Sequence, residues 1–241
     1  MTVAQAFGRA VAYDRHAIVQ RRVAEELADT IVSLPMPAAP HVLEIGCGTG
    51  FLANALIDRL PGASWLITDI APTMLGQARA RLGNRDRIRF SILDGERPVA
   101  DGPFDLICSS LAAQWFTDLP KALAQWRARL SPRGAIAFTT LASGSFAEWR
   151  DAHLGLSCGA HEYPSADDLA SLGFQVTTKR HAVRYADARA FLHAVKAIGA
   201  GTPRAGHGPL APAQLREVMN RFEAAGAVAT YVVATCIATP A

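Results

Sequence analysis

The residues with the clearest chemical meaning in this chain are three glycines that follow an acidic residue at the end of an apolar run. The run Val42–Ile45 contains Glu44 and leads into Gly46, Gly48 and Gly50, with one glycine at every second position. Glycine adopts positive φ without steric cost and lets a ligand lie against bare peptide. The spacing therefore predicts a buried strand that turns sharply around a small ligand. Because Glu44 is acidic, the turn suits a ligand with a cationic end better than a phosphate.

Two further carboxylates, Asp69 and Asp94, also follow apolar runs. Ligands in open α/β sheets bind at the carboxyl ends of the strands. Asp69 lies 19 residues after Gly50, about where a carboxylate accepts hydrogen bonds from ribose hydroxyls. Asp94 is placed to accept a hydrogen bond from an exocyclic amine. Together with the glycine turn, these carboxylates predict a site for a nucleoside that has a positive tail and no phosphate.

Two other interpretations of these residues stay open. A dinucleotide site needs the spacing G-x-G-x-x-G with a phosphate at a helix N-terminus, and here Phe51 stands at the last position of that spacing. Alternatively, Glu44, Asp69 and Asp94 are ordinary solvated side chains at strand ends. Their common register with the glycine turn favours the nucleoside site.

Strand-like and helical segments alternate along the first 142 residues. Apolar periodicity and the positions of Gly and Pro predict helices over 17–34, 50–60, 72–82 and 119–130, strands over 41–45, 64–68, 87–93, 104–109 and 135–141, and a turn over 131–134. Five strands with crossover helices imply a parallel sheet with helices on both faces. The acidic residues then meet at one edge of that sheet.

The last hundred residues have a different pattern. They predict helices over 146–156, 165–172, 188–198 and 211–225 and strands over 174–185 and 230–238. The two helices between the last two strands are expected to form a partial lid over one edge of the sheet. The Gly- and Pro-rich segment 199–209 is predicted to be a mobile loop.

Composition limits the class of protein. The 241 residues are 50% hydrophobic and 19% charged, which fits one globular domain. The net charge of +3 permits an acidic partner but does not require nucleic acid. The four cysteines are far apart and show no metal-binding spacing, so we expect no metal and reduced thiols. No run reaches the ~18 apolar residues of a membrane span, so we expect no membrane partner and a cytoplasmic location.

The motif E-I-G-C-G-T-G at 44–50, with Asp69, Asp94 and the strand F-D-L-I-C-S-S at 104–110, resembles the class I S-adenosylmethionine (SAM)-dependent methyltransferases. The resemblance covers about residues 40–142. It implies a Rossmann-like sheet of seven mostly parallel strands with an antiparallel last strand, and SAM as the cofactor. It also places the glycine turn against the methionine portion, Asp69 at the ribose, Ile70 on one adenine face and Asp94 at the adenine amine. The cofactor residues that it implies are Glu44, Gly46, Gly48, Gly50, Asp69, Ile70, Asp94, Gly95 and Ser110.

Four further blocks extend the resemblance to nearly the whole chain. They lie at 6–20, 109–115, 138–145 and 196–200, and in this order they resemble the malonyl-acyl-carrier-protein O-methyltransferase family of biotin synthesis. The implied reaction is methylation of the free carboxyl of malonyl, carried on the acyl carrier protein or on coenzyme A. The implied single domain has an N-terminal helical cap over 1–38, a SAM-binding core over 40–142, and substrate-side helices and final strands over 143–241.

This chemistry needs no general base. A malonyl thioester carries a carboxyl group with a pKa of roughly 4 or lower, so it is already ionised at neutral pH. A dry pocket and alignment of the reacting atoms are then the main requirements, and positioning can supply up to about 7–11 kcal/mol. Tyr13 and His16, three apart on one helical face, are predicted to cover SAM, and Gln114 and Trp115 to stand at the rim of the active site, all four as positioning residues. Lys196 and Arg204 flank the predicted loop and are predicted to attract malonyl or a phosphopantetheine phosphate. Each of these residues has a simpler interpretation as a packed or solvated side chain.

Several alternatives for function stay open. The sequence A-x-Q-W at 112–115 also resembles trans-aconitate methyltransferases, which suggests a small-diacid carboxyl methyltransferase. A different class is a non-catalytic SAM-binding protein that acts in regulation or assembly. The basic residues Lys179, Arg180, Arg184 and Arg189 favour a carrier protein as the partner, because acyl carrier proteins are strongly acidic. A solvated strand face is the other interpretation of these four residues.

Overall fold

The computed structural model describes residues 17–197 and 208–239. The helices are α1 (Ile18–Val32), α2 (Phe51–Leu56), α3 (Pro72–Leu82), α4 (Leu119–Arg127), α5 (Ala147–Ala152), α6 (Ala166–Ser171), α7 (Ala188–Ala197) and α8 (Pro212–Ala224). The strands are β1 (His41–Ile45), β2 (Ser64–Asp69), β3 (Ile88–Ile92), β4 (Phe104–Ser110), β5 (Leu130–Leu141), β6 (Gln175–Arg184) and β7 (Val228–Ala238). A short 3₁₀ helix, Ala113–Trp115, follows β4.

The seven strands form one sheet in the order β3-β2-β1-β4-β5-β7-β6. Strands β1 to β5 pair in parallel, and β7 runs antiparallel to both β5 and β6. The order reverses between β1 and β4, which is the switch point where open α/β sheets bind ligands. The predicted sheet of seven strands with an antiparallel last strand is confirmed.

The strand side chains alternate between two apolar layers, as a sheet covered on both faces requires. On one face, Val42 and Leu106 pack with α1, α2 and α3. On the other face, Leu43 and Ile107 pack with residues of α4 and α6, around the fully buried Trp126. These layers fix the strand ends that carry the predicted site.

A third apolar cluster lies beside the end of β5 and the start of β7. It is rich in aromatic side chains and is formed mainly by α5, α7, α8 and the start of β7. Helices α7 and α8 are the two helices predicted between the last two strands. We call this group the aromatic cluster, and its main members are Phe146, Trp149, Phe191, Phe222 and Tyr231.

The sequence prediction was wrong at the segment 131–134, which forms part of β5 rather than a turn. Leu130 pairs with Phe104, and the register shifts before Leu106 pairs with Ala135. A Cβ on Gly134 would lie 2.6 Å from the carbonyl oxygen of Phe104, so the glycine permits this close strand approach. Helix α2 is also shorter than its predicted range of 50–60. Within the part of the chain that the structure describes, no helix is long and apolar enough to cross a membrane.

Candidate functional site

A cavity of about 200 Å³ opens at the carboxyl ends of β1, β2 and β4. The helix α1 closes one side of it with Gln20 and Ala24, and the loop after β4 closes another with Trp115 and Phe116. The remaining lining comes from the glycine turn and the loops after β2 and β3. The described residues that line it include eight of the nine predicted cofactor residues: Glu44, Gly46, Gly48, Asp69, Ile70, Asp94, Gly95 and Ser110.

The three glycines of the turn all have positive φ, but they are needed for different reasons. A Cβ on Gly46 would lie 2.4 Å from the Cβ of Ala112, so the loop after β4 can approach only a glycine here. A Cβ on Gly50 would lie 3.2 Å from Ala78 of α3. A Cβ on Gly48 would meet nothing within 4 Å, so the backbone of Gly48 borders open space in the cavity. Gly50, which was predicted to bind the cofactor, lies outside the lining and packs against α3.

Glu44 is a buried acid with an unsatisfied oxygen. Its side chain is only 1% exposed, and its Oε2 atom has no hydrogen-bond partner. Burial, with a smaller contribution from the nearby Asp69, raises the pKa of this carboxyl to about 8, although a backbone hydrogen bond at Ala53 acts to lower it. A cationic group in the cavity would supply the missing partner and favour the ionised carboxylate.

Asp69 holds the glycine turn in place. Its Oδ2 accepts a hydrogen bond from the backbone N–H of Gly48 at 2.8 Å, and its Oδ1 accepts one from Ala71 at 2.8 Å. Burial raises the pKa of Asp69, and these hydrogen bonds lower it. Because each carboxylate oxygen can accept two hydrogen bonds, Asp69 can still receive a ligand hydroxyl. The next residue, Ile70, is 40% exposed beside it.

The loop after β3 is fastened to the loop after β4. The Oδ1 atom of Asp94 accepts from the backbone N–H of Glu96 at 3.0 Å, and Glu96 Oε1 accepts from the backbone N–H groups of Thr117 and Asp118 at 2.7 and 2.8 Å. A Cβ on Gly95 would lie 2.5 Å from Ile45 and 2.8 Å from Phe116. Only glycine therefore fits at this point of the wall.

The predicted substrate residues of the 3₁₀ helix separate into two groups. Trp115 lines the cavity and contacts His161 edge to face, with ring centroids 6.1 Å apart. Gln114 points away from this cavity, and its Nε2 donates to the carbonyl oxygen of Leu111 at 2.7 Å. Gln114 instead lines a separate cavity with Thr140 and Tyr163.

The other predicted substrate residues do not line the described cavity. Lys196 is exposed near the end of α7. Tyr13, His16, Arg204 and most of the predicted loop 199–209 lie outside the described residues.

Sequence reasoning missed several lining residues. Glu96 and Thr117 join the loops after β3 and β4, and Phe116 forms part of the wall between them. The aromatic Phe116 beside the predicted Trp115 was the available signal. No local pattern in the sequence indicated the link through Glu96, because it joins two loops whose bonded residues are 21 positions apart.

The cysteines behave as the sequence predicts. All four are free, and Cys47, Cys108 and Cys236 are buried. Burial raises the pKa of Cys47, which lies in the glycine turn, well above its ordinary value, and the neighbouring Glu44 and Asp69 raise it further. Since the thiolate is the reactive form, Cys47 is a small packing residue.

Comparisons with known proteins agree with this geometry. A family model described as "Methyltransferase domain" matches residues 42–134. Among solved structures, the YcgJ protein from Bacillus subtilis has a TM-score of 0.59 at 16% identity over 88% of this chain and 96% of that one. The N-methyltransferase NodS from Bradyrhizobium japonicum, in complex with S-adenosyl-L-homocysteine, has a TM-score of 0.56 at 16% identity over the whole of both chains. These two likenesses concern the fold.

Three curated relatives cover most of the chain. It is 48% identical over 91% of its length to the biotin biosynthesis bifunctional protein BioCD of Bordetella avium, of which it spans only 48%. It is 40% identical to the malonyl-[acyl-carrier protein] O-methyltransferase of Magnetococcus marinus, over 90% of this chain and 84% of that protein. The enzyme of the same name from Geobacter sulfurreducens is 35% identical, over 96% and 95% of the two chains.

The fold, the glycine turn and these matches define a class I methyltransferase that uses SAM as its cofactor. Within that class, the chain belongs to the malonyl-[acyl-carrier protein] O-methyltransferase family. The predicted family, enzyme class and cofactor are confirmed.

Proposed function

We propose that this chain transfers the methyl group of SAM to the free carboxylate of a malonyl group carried on an acyl carrier protein, and so forms a methyl ester for biotin synthesis. The observation that carries the proposal is the extent of the likeness. The relatives from Magnetococcus and Geobacter are matched over 84% and 95% of their own lengths, so the likeness includes the substrate side as well as the cofactor half.

The residues of the cavity fit SAM in two respects. The unsatisfied Oε2 of the buried Glu44 calls for a cationic partner, and SAM has an ammonium group and a sulfonium. The open space beside Gly48 lets the methionine portion lie against the backbone. Asp69 then accepts hydrogen bonds from the ribose, Ile70 covers an adenine face, and Asp94 accepts from the adenine amine.

Bound SAM supplies a methyl group on a positively charged sulfur. In the proposed reaction an oxygen of the malonyl carboxylate would take the methyl carbon as the S–CH₃ bond breaks, and the products would be S-adenosylhomocysteine and a neutral ester. Among the described lining residues, the side chains that titrate are four carboxylates and one buried thiol, at Glu44, Asp69, Asp94, Glu96 and Cys47. None of them is needed as a base, because the carboxylate is already ionised.

The protein therefore contributes alignment and exclusion of water. Trp115 and Phe116 form an apolar wall beside Ser110, at the end of β4. Opposite charges cancel during the reaction, so a drier pocket favours the transition state over the separated ions. Tyr13, His16 and Gln114 remain predicted positioning residues, and Arg204 a predicted contact to the acyl substrate.

The direct test is incubation of the purified protein with SAM and malonyl-carrier protein, followed by mass spectrometry of the carrier. We expect a mass gain of one methyl on the malonyl group. Parallel reactions with malonyl-CoA and with free trans-aconitate separate the alternatives. No methyl on malonyl would contradict the proposal, and turnover of the free diacid alone would make the protein a small-diacid methyltransferase. SAM binding without any turnover would point to a non-catalytic role.

A further inference from the structure

The basic residues of β6 are already engaged within the protein. Lys179 Nζ lies 2.7 Å from the Glu26 carboxylate of α1. Arg184 Nη1 donates to the carbonyl oxygen of Gly226 at 2.7 Å, and Arg180 lies close enough to Glu148 to lower the pKa of that carboxyl. Most of the basic stretch predicted to attract a carrier protein is therefore occupied by internal partners.

The basic residues of α7 are arranged differently. Arg189, His193 and Lys196 are exposed and stand at positions i, i+4 and i+7, so they share one face of the helix. We call these three residues the α7 basic face. The opposite side of the helix is anchored in the aromatic cluster, where Ala188 is fully buried and Phe191 is 3% exposed. Neither Arg189 nor Lys196 forms an ion pair with any carboxylate in the described parts of the chain.

The first turn of α1 contributes residues both to a cavity at the α7 basic face and to the cofactor cavity. A second cavity of about 550 Å³ lies between α7 and the first turn of α1, and Ile18, Val19, Arg189 and His193 are among its lining residues. The next residue of α1, Gln20, lines the cofactor cavity. The start of α1 therefore borders both cavities.

A second arginine-rich region, at the opposite edge of the sheet, provides a contrast. There Arg85 pairs with Asp58 at 2.6 Å, Arg79 stacks over Phe90, and Arg87 donates to the carbonyl oxygen of Pro61. Arg89 of β3 is exposed in this region and has no ion pair within the described residues. This region lies at the β3 edge, whereas α7 follows β6 at the other edge.

We propose that the α7 basic face is the docking surface for the acidic carrier protein that presents the malonyl group. The proposal rests on the proposed function, because it takes the partner from that reaction. Arg189 and Lys196, which are exposed and have no ion pair within the described residues, attract an acidic partner without first breaking internal ion pairs. Their place beside the start of α1 brings the carrier to the side of the molecule where the cofactor cavity lies.

The test compares Arg189→Glu with Arg89→Glu, two identical changes of exposed, unpaired arginines at opposite edges of the sheet. For each variant we measure kcat/KM with malonyl-carrier protein and with malonyl-pantetheine, which has the same acyl group but no protein and no phosphate. Arg189→Glu should lower kcat/KM for the carrier substrate about tenfold or more, with malonyl-pantetheine unchanged. Arg89→Glu should change neither value, and the loss in Arg189→Glu should shrink with added salt.

Each other outcome overturns the docking surface. If Arg189→Glu leaves kcat/KM for malonyl-carrier protein unchanged, Arg189 is not part of the interface. If Arg89→Glu lowers kcat/KM by the same factor, the loss comes from the change in net charge and not from one surface. Equal losses on both substrates in Arg189→Glu would place the residue in the reaction site or the fold. Lys196→Glu distinguishes docking from the predicted contact of Lys196 with malonyl. Loss of a malonyl contact would lower kcat/KM for malonyl-pantetheine, whereas loss of docking alone would not. Failure of the proposed function itself is distinct, because the unmodified protein would then methylate neither malonyl substrate.

Discussion

The two halves of the sheet's functional edge consist of different types of residues. Around β1 to β4, the edge consists of glycines with positive φ, buried carboxylates and backbone N–H groups held by Asp69. Around β5 and β7, it consists of packed aromatic rings such as Trp149 and Phe222, whose centroids lie 5.4 Å apart. The first half presents polar atoms to the cofactor cavity, while the second packs aromatic side chains against one another.

This difference teaches where specificity and stability reside. The glycine half leaves Glu44 Oε2 unsatisfied, which costs stability unless a ligand is bound. The aromatic cluster buries large apolar surfaces and anchors α7 and α8, which compensates for such costs. We therefore expect substitutions in the first half to act on SAM affinity and those in the second to act on stability.

The largest expected effect comes from a substitution in the aromatic cluster. Phe222→Ala removes a fully buried ring that contacts Phe191 and Trp149, and should lower the free energy of unfolding by about 3–5 kcal/mol. Urea titration measures the loss, and Phe222→Leu is the milder control. SAM affinity of the folded fraction should stay unchanged, because none of these rings lines the cofactor cavity. A loss of affinity equal to the loss of stability would contradict the division between the halves.

The next largest effect comes from substitutions in the glycine turn. Gly46→Ala places a Cβ 2.4 Å from Ala112 at a φ of +66°, which should cost about 2–4 kcal/mol of unfolding free energy and disrupt the cavity. Gly48→Ala has open space at its Cβ, so thermal unfolding should show a smaller cost of about 1–2 kcal/mol. Its SAM affinity should nevertheless fall, because the methyl group enters the ligand's space. Equal stability losses in the two variants would refute this distinction.

Glu44→Gln tests the buried carboxylate of the glycine half through the pH dependence of stability. The pKa of Glu44 is about 8 in the folded protein against 4.5 in its ordinary state. A raised folded pKa gives stability below pH 4.5 that is lost as the pH rises through 8. Glu44→Gln should therefore be more stable than the unmodified protein at pH 8 and above, by about 2–4 kcal/mol, and the difference should vanish near pH 4.5.

The same residue links SAM binding to proton release. With its pKa raised to about 8, Glu44 should hold a proton in the free protein at pH 7, and a cationic ligand beside it should expel that proton. Calorimetry in two buffers with different ionisation enthalpies should show this release in the unmodified protein and none in Glu44→Gln. Identical proton balances would show that Glu44 does not face the cation.

A further effect, smaller than that of Phe222→Ala, concerns the ribose contact. Asp69→Ala should weaken SAM binding by about 1.5–3 kcal/mol, the usual worth of hydrogen bonds to a charged group. Asp101→Ala, a change of an exposed aspartate in the loop before β4, is the control and should leave the affinity unchanged. An unaltered dissociation constant in Asp69→Ala would remove Asp69 from the site.

The same contrast explains what could be predicted from the sequence. The cofactor half was largely predictable, because the glycine turn, Asp69 and Asp94 stand at strand ends that local patterns mark. The turn predicted at 131–134 lies within β5, because Leu130 and Ala135 on either side of the Ser-Pro-Arg-Gly segment both pair with β4. Gly50 has the same signature as Gly48, and only the position of Ala78 shows that it packs rather than binds.

Features that depend on distant segments could not be derived from local patterns. The bonds of Glu96 to the loop after β4 and the unsatisfied oxygen of Glu44 depend on how separate segments meet. The internal partners of the β6 cations likewise come from α1, α5 and the turn before β7. They are the reason that the proposed docking surface keeps only Arg189 of the predicted basic stretch and joins it to His193 and Lys196 of α7.

A crystal structure with S-adenosylhomocysteine tests the central claim most directly, since that product occupies the cofactor site after methyl transfer. We predict that the ribose hydroxyls lie within about 2.6–3.2 Å of the Asp69 carboxylate, with the adenine against Ile70 and the ammonium group beside Glu44. A nucleoside bound elsewhere, or a ribose without contact to Asp69, would contradict the account.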